Sequence, residues 1–173
     1  MDGQRGVSLI EVLVAMFVFA IGLVGLAGTM VMSARSNHSA YLRTQVAFLA
    51  NNMAERMRAN PVGVWSGSYN SDAYPIDVGS TACDATTPCA PPAVATRDQV
   101  RWSRLLDSQL PGASARIQCK GMGAVGYNPS AQIGMRPPYG GTCTMTVSWI
   151  ERKAGDHRNA DAAGQMFAWV FQP

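Results

Sequence analysis

From Leu9 to Ala34 the chain is almost wholly apolar, and positions 12–34 contain no Asp, Glu, Lys, Arg or His. About 20 such residues in helical form cross the hydrocarbon of a bilayer, so this pattern predicts a membrane-spanning helix. After Arg35 the pattern changes instead of stopping. Leu42, Val46, Leu49, Met53 and Met57 recur at steps of four, three, four and four, with Arg43, Asn51, Asn52 and Arg58 off their line. That is one apolar stripe on a helix with a polar back. No proline interrupts residues 7–60, so both patterns belong to one continuous helix. Asn60-Pro61 ends it, because the residue before a proline avoids the helical region. The first half suits lipid, and the second half packs against a folded body.

The remainder carries shorter signals. Residues 61–96 are rich in Pro, Gly, Ser, Thr and Asp without a sustained period, and read as a long loop. Residues 97–110 read as a helix through Val100, Trp102, Leu105, Leu106 and Leu110, closed by Pro111-Gly112. Three alternating runs predict strands. They are 113–120 (Ala113, Ala115, Ile117, Cys119), 142–150 (Cys143, Met145, Val147, Trp149) and 166–172 (Phe167, Trp169, Phe171). A Gly/Pro-rich loop (121–141) and a polar loop (152–165) separate them. The expected fold class is α+β: a long N-terminal helix whose second half packs on a small antiparallel sheet.

Charge adds a constraint. The 173 residues carry a net +3, but residues 35–60 alone contribute +3 and residues 61–173 only +1, from nine basic and eight acidic side chains. That balance gives the head no electrostatic case for nucleic acid, and no nucleic-acid partner is expected. A cleaved secretory signal fits poorly, because the apolar run is too long and is preceded by Arg5 as the lone basic side chain. All four cysteines, Cys83, Cys89, Cys119 and Cys143, lie beyond the apolar run. An even count there suits disulfides in an oxidising compartment. Cys83 with Cys89 would close a short loop, and Cys119 with Cys143 would join two predicted strands.

Glu11 stands against this background. A carboxylate near the start of a lipid-length segment costs about 2.5–3.5 kcal/mol even on mild insertion scales, so a partner is expected. Its context is Arg5-Gly6-Val7-Ser8-Leu9-Ile10-Glu11. That run resembles the leader signal of type IV pilins and pseudopilins. The resemblance implies that a prepilin peptidase cuts after Gly6, that the exposed Val7 is N-methylated by the same enzyme, and that Glu11 pairs with the terminal amine of a neighbouring subunit. Where Val7 stands, the family more often has Phe. Val12-Leu13-Val14-Ala15 and Ala54-Glu55-Arg56-Met57-Arg58-Ala59-Asn60-Pro61 look most like the PilV group of minor type IV pilins. Trp102 ahead of Leu110-Pro111-Gly112, and Val147-Ser148-Trp149, continue that likeness.

The resemblance further implies a prepilin leader (1–6), a membrane or filament-core half-helix (7–34), an amphipathic half-helix (35–60) and a periplasmic head (61–173). It implies other minor pilins, the major pilin and an inner-membrane assembly platform as partners. The protein would sit in the inner membrane as a single-pass subunit and then enter the filament, promoting pilus initiation, twitching motility and adhesion. A minor pseudopilin of a type II secretion system is the nearest alternative. A membrane-anchored periplasmic enzyme or binding protein is the alternative of another class.

Other candidate chemistry is weaker. Gly121-Met122-Gly123-Ala124-Val125-Gly126 matches G-x-G-x-x-G, but Tyr127-Asn128-Pro129 follows where a dinucleotide site needs a helix. Cys83 and Cys89 stand too far apart for a zinc knuckle. Asp72, Asp77 and Asp84 are scattered and do not make a calcium loop. His38 and His157 match no nucleophilic motif. Neither cofactor, metal nor catalysis is expected. Gly22, Gly25 and Gly28 suit close helix packing in a membrane or local unwinding on assembly.

Overall fold

The computed structural model describes residues 8–76, 89–121, 139–151 and 163–173. The elements in chain order are α1 (Leu9–Ala59), α2 (Pro61–Trp65), β1 (Ser71–Tyr74), α3 (Pro91–Gln109), β2 (Ser114–Lys120), β3 (Thr142–Glu151) and β4 (Ala163–Phe171). The chain divides into two units, Met1–Ala40 and Tyr41–Pro173, with α1 contributing to both.

In the first unit α1 is exposed on every side as far as His38. Leu9, Val24 and Met32 are 81%, 74% and 75% exposed. A helix that is apolar all round buries nothing against itself, so it requires lipid or other helices as its surroundings. It is the one helix among the described residues long and apolar enough to cross a membrane. Its helical hydrogen bonding continues through Gly22, Gly25 and Gly28.

The second unit is the folded head. The predicted stripe is its spine: Leu42, Val46, Leu49, Met53 and Met57 are buried, and Ala50 and Ala54 complete the face. The sheet is an antiparallel meander in the order β1-β2-β3-β4. Its register sets Cys119 opposite Cys143, Ile117 opposite Met145, and Ala115 opposite Val147. The α1 stripe, α3 and the inner sheet face share one hydrophobic core with Trp102 and Leu106.

Three expectations need correction. Residues 61–96 are not one long loop; they hold α2, β1 and the first six residues of α3, and Val64, Tyr69 and Tyr74 are core residues. Elements of five and four residues are too short to display a period. Among the described residues the sheet accordingly has four strands, not three. And α3 starts at Pro91, not at Arg97, with proline in its first turn, where a missing N–H costs nothing. Tyr139, read as loop, is buried and meets Trp65 edge-on with ring centres 4.7 Å apart.

Two glycines are fixed by geometry. Gly112, in the turn after α3, has φ +57°, and a Cβ there would lie 2.6 Å from Ile150 Cδ1. A side chain on Gly63 would collide with the Asn60 side chain that caps α2.

Candidate functional site

The candidate assembly site begins where α1 begins. The Ser8 carbonyl accepts the N–H groups of Glu11 and Val12 at 3.0 and 3.3 Å, forming the first turn. Glu11 lies in that turn, where the positive end of the helix dipole favours an anion. The surface beside it is lined by Val12, Ala15, Met16 and Phe19. Among the described residues Glu11 has no ion-pair partner. A carboxylate bordered by apolar side chains gains from a cation delivered from outside the chain, since nothing adjacent solvates it once water is displaced. Gly6 and Val7, the expected cleavage and methylation positions, lie outside the described residues.

The head supplies the second expected set. Cys119 and Cys143 are joined, with Cα atoms 3.9 Å apart, across the β2–β3 pair. The two positions face each other directly because both fall on the inward phase of their strands. Cys89 is disulfide-bonded as well; its expected partner Cys83 lies outside the described residues, as do the G-x-G-x-x-G segment beyond Gly121 and His157.

Sequence reasoning missed a polar cluster where α1 hands over to α2. Asp98, 6% exposed on α3, accepts from Arg56 Nη1 at 3.0 Å and from the Tyr69 hydroxyl at 2.9 Å. Asn60 donates from Nδ2 to the Tyr69 hydroxyl oxygen and to the Pro91 carbonyl, at 3.2 and 2.8 Å. Its Oδ1 accepts the Gly63 N–H. Gln99 donates to the Ser68 carbonyl and the Tyr74 hydroxyl, which in turn donates to the Tyr69 carbonyl at 2.9 Å. Burial raises the pKa of both phenols above the ordinary tyrosine value; Tyr74 is pushed up to about 12. They therefore serve as neutral donors at physiological pH. The cluster locks the end of α1 to α3 and does not form a catalytic constellation. Only Asn60 ahead of Pro61, a helix-capping residue type before a first-turn proline, hinted at it in the sequence.

Residues 1–27 match the family model described as "Prokaryotic N-terminal methylation motif". No curated protein and no solved structure matches the chain. A methylation motif heading an exposed apolar helix, with an α+β head built on the same helix, supports a protein of the type IV pilin or pseudopilin kind. The motif implies processing by a prepilin peptidase and assembly with other pilins. The apolar helix suits a single-pass membrane anchor.

Proposed function

We propose that the chain is a minor type IV pilin of the PilV kind, a structural subunit cut after Gly6, N-methylated on Val7 and incorporated into the pilus at low copy. The observation that carries this reading is Glu11. It is the single charge in the apolar half of a helix that opens with the methylation motif, and it has no ion-pair partner among the described residues. A methylated amine on Val7 of a neighbouring subunit supplies the missing cation. Each charge would be unpaired in an apolar filament core, so each stabilises the other and fixes the axial register of adjacent helices. Residues 7–34 are then the membrane and filament-core half, 35–60 the amphipathic half, and 61–173 the periplasmic head. Working with other minor pilins, the major pilin and the inner-membrane platform, the subunit helps initiate the filament and so supports twitching motility and adhesion.

Mass spectrometry of the chain from its native host tests the processing. The mature protein should begin at Val7 with one added methyl on its amine; a start near Gly28 would mark an ordinary secretory signal and end the pilin reading. Deletion of the gene should remove surface pili and twitching. Loss of protein secretion with pili intact would assign it to a type II secretion apparatus instead.

A further inference from the structure

The two edges of the sheet are protected unequally. β1 has only four residues. Its register shifts between Ser71 and Tyr74, its Asp72 pairs with Arg116, and Pro75 follows it. Shortness, irregularity, charge and proline are the devices that keep a sheet edge from recruiting foreign strands. β4 has none of them. It runs for nine residues, about 30 Å, without Asp, Glu, Lys, Arg or Pro. Among the described residues it pairs with β3 alone, so every second residue turns its N–H and C=O to the open side. Burial falls away in the same direction. Met145 and Val147 on β3 are fully buried, whereas Trp169 and Phe167, directly opposite them on β4, are only half-buried. On the outer face Met166 and Val170 are 70% and 62% exposed. One more strand beside β4 would cover both sets.

We propose that the open edge of β4 takes an additional strand from a second, different protein. Another copy of this chain is a poor occupant. Antiparallel β4–β4 pairing places a two-fold axis normal to the sheet. That axis would set the Leu42–Met57 segment, packed against the inner face, antiparallel to its counterpart. Copies anchored in one membrane, as in the proposed pilin reading, present that segment in the same sense, and the inference rests on that reading to this extent. The chemistry of the incoming strand follows from the one that β4 already accepts. β3 carries no charge from Thr142 to Ile150; it turns Thr144, Thr146 and Ser148 to the outer face and Met145, Val147 and Trp149 to the inner one. The partner segment is thus extended and uncharged along β4, apolar at alternate positions to cover Phe167 and Trp169, and hydroxyl-bearing or apolar at the others. Backbone hydrogen bonds supply the affinity and alternate side chains the selection.

The probe is a fluorescein-labelled peptide with the sequence of residues 142–150 and Cys143→Ser, followed by anisotropy against the full chain in neutral detergent micelles. It should bind saturably. N-methylation of one alternate set of its amides should abolish binding, and methylation of the other set should leave it intact, since only one set faces β4. Met166→Lys combined with Val170→Lys, both at exposed positions, should weaken binding; Asp72→Ala, at the opposite edge, should not. Circular dichroism and an intact Cys119–Cys143 bond establish that each variant is folded, and the methylated peptides carry the test if the lysine variant does not fold. In the native host, a photocrosslinking residue in place of Met166 should link the chain to a protein of different sequence, within an uncharged extended segment located by peptide sequencing. Equal effects of the two methylation sets overturn the proposal, as does the absence of binding. Binding that a folded lysine variant leaves unchanged marks uptake by the micelle and also overturns it. So does a crosslink to a second copy, or none. Peptide binding does not depend on leader cleavage, so it can fail while the pilin reading stands, and the reverse.

Discussion

The indole N–H of Trp102 donates to the backbone carbonyl of Leu49 at 2.8 Å, joining α3 to the C-terminal part of α1 inside the core. The Tyr74 ring packs edge-on against the same indole, with centres 5.2 Å apart. One side chain therefore couples α1, α3 and β1.

Replacing that indole isolates its contribution. Trp102→Phe keeps an aromatic ring but loses the donor and leaves a void. Loss of the hydrogen bond costs about 0.5–1.5 kcal/mol, and the cavity adds to it. Urea denaturation of the full chain in micelles should register about 2–3 kcal/mol in total, from those two contributions. A change below half of one kilocalorie would mean that α3 is held elsewhere.

The buried phenols predict an alkaline limit. Tyr74 has its pKa raised from 10.0 to about 12, and burial shifts Tyr69 in the same direction. A raised folded-state pKa means that the folded state holds its proton longer than the unfolded chain. The stabilisation is complete below pH 10 and is lost as pH rises through the folded values. Above pH 10 each phenol should reduce stability by up to about 1.4 kcal/mol per pH unit. Urea midpoints measured from neutral to pH 11 should fall only in the upper part of that range, and Tyr74→Phe should make the fall shallower.

Cross-strand bonding of Cys119 and Cys143 closes a sequence separation of 24 residues. In the chain-entropy model such a closure contributes about 3–4 kcal/mol. Replacing both cysteines by serine should lower stability by about that amount, and non-reducing peptide mapping of the native chain should recover Cys119 linked to Cys143.

Glu11→Gln separates assembly from folding. The substitution preserves size and removes the charge that a neighbour's amine would meet. Removing one member of a buried pair costs about 3–5 kcal/mol, or at least two orders of magnitude in incorporation. The variant should accumulate as cleaved, membrane-bound subunit with a normal head, yet be missing from sheared filaments. Incorporation at the wild-type level would reduce Glu11 to an interfacial charge.

Periodicity made the long elements legible in advance. The α1 stripe from Leu42 to Met57 and the strands around Ile117, Met145 and Phe167 each repeat often enough to reveal both element type and buried face. The failures share a physical cause. β1 and α2 are too short for any pattern, and they are held by tertiary contacts: Tyr74 of β1, and Tyr69 in the turn before it, by hydrogen bonds to α3, and Val64 of α2 by the core. Pro91 and Pro92 resembled loop punctuation, although proline is tolerated in a first helical turn. In the candidate site, Glu11 was legible because charge is conspicuous in an apolar run. Asp98 was not, because its partners Arg56 and Tyr69 stand 42 and 29 positions away in the chain.

Seven residues of α1, from Leu42 to Met57, belong to the interior of the head. These residues are thus part of the head's own core and of one unbroken helix, α1. A load applied to the N-terminal end reaches the sheet through buried side chains, so withdrawing the helix means tearing open the head's own core. The hold on residues 42–57 is therefore as strong as the folding of the head itself.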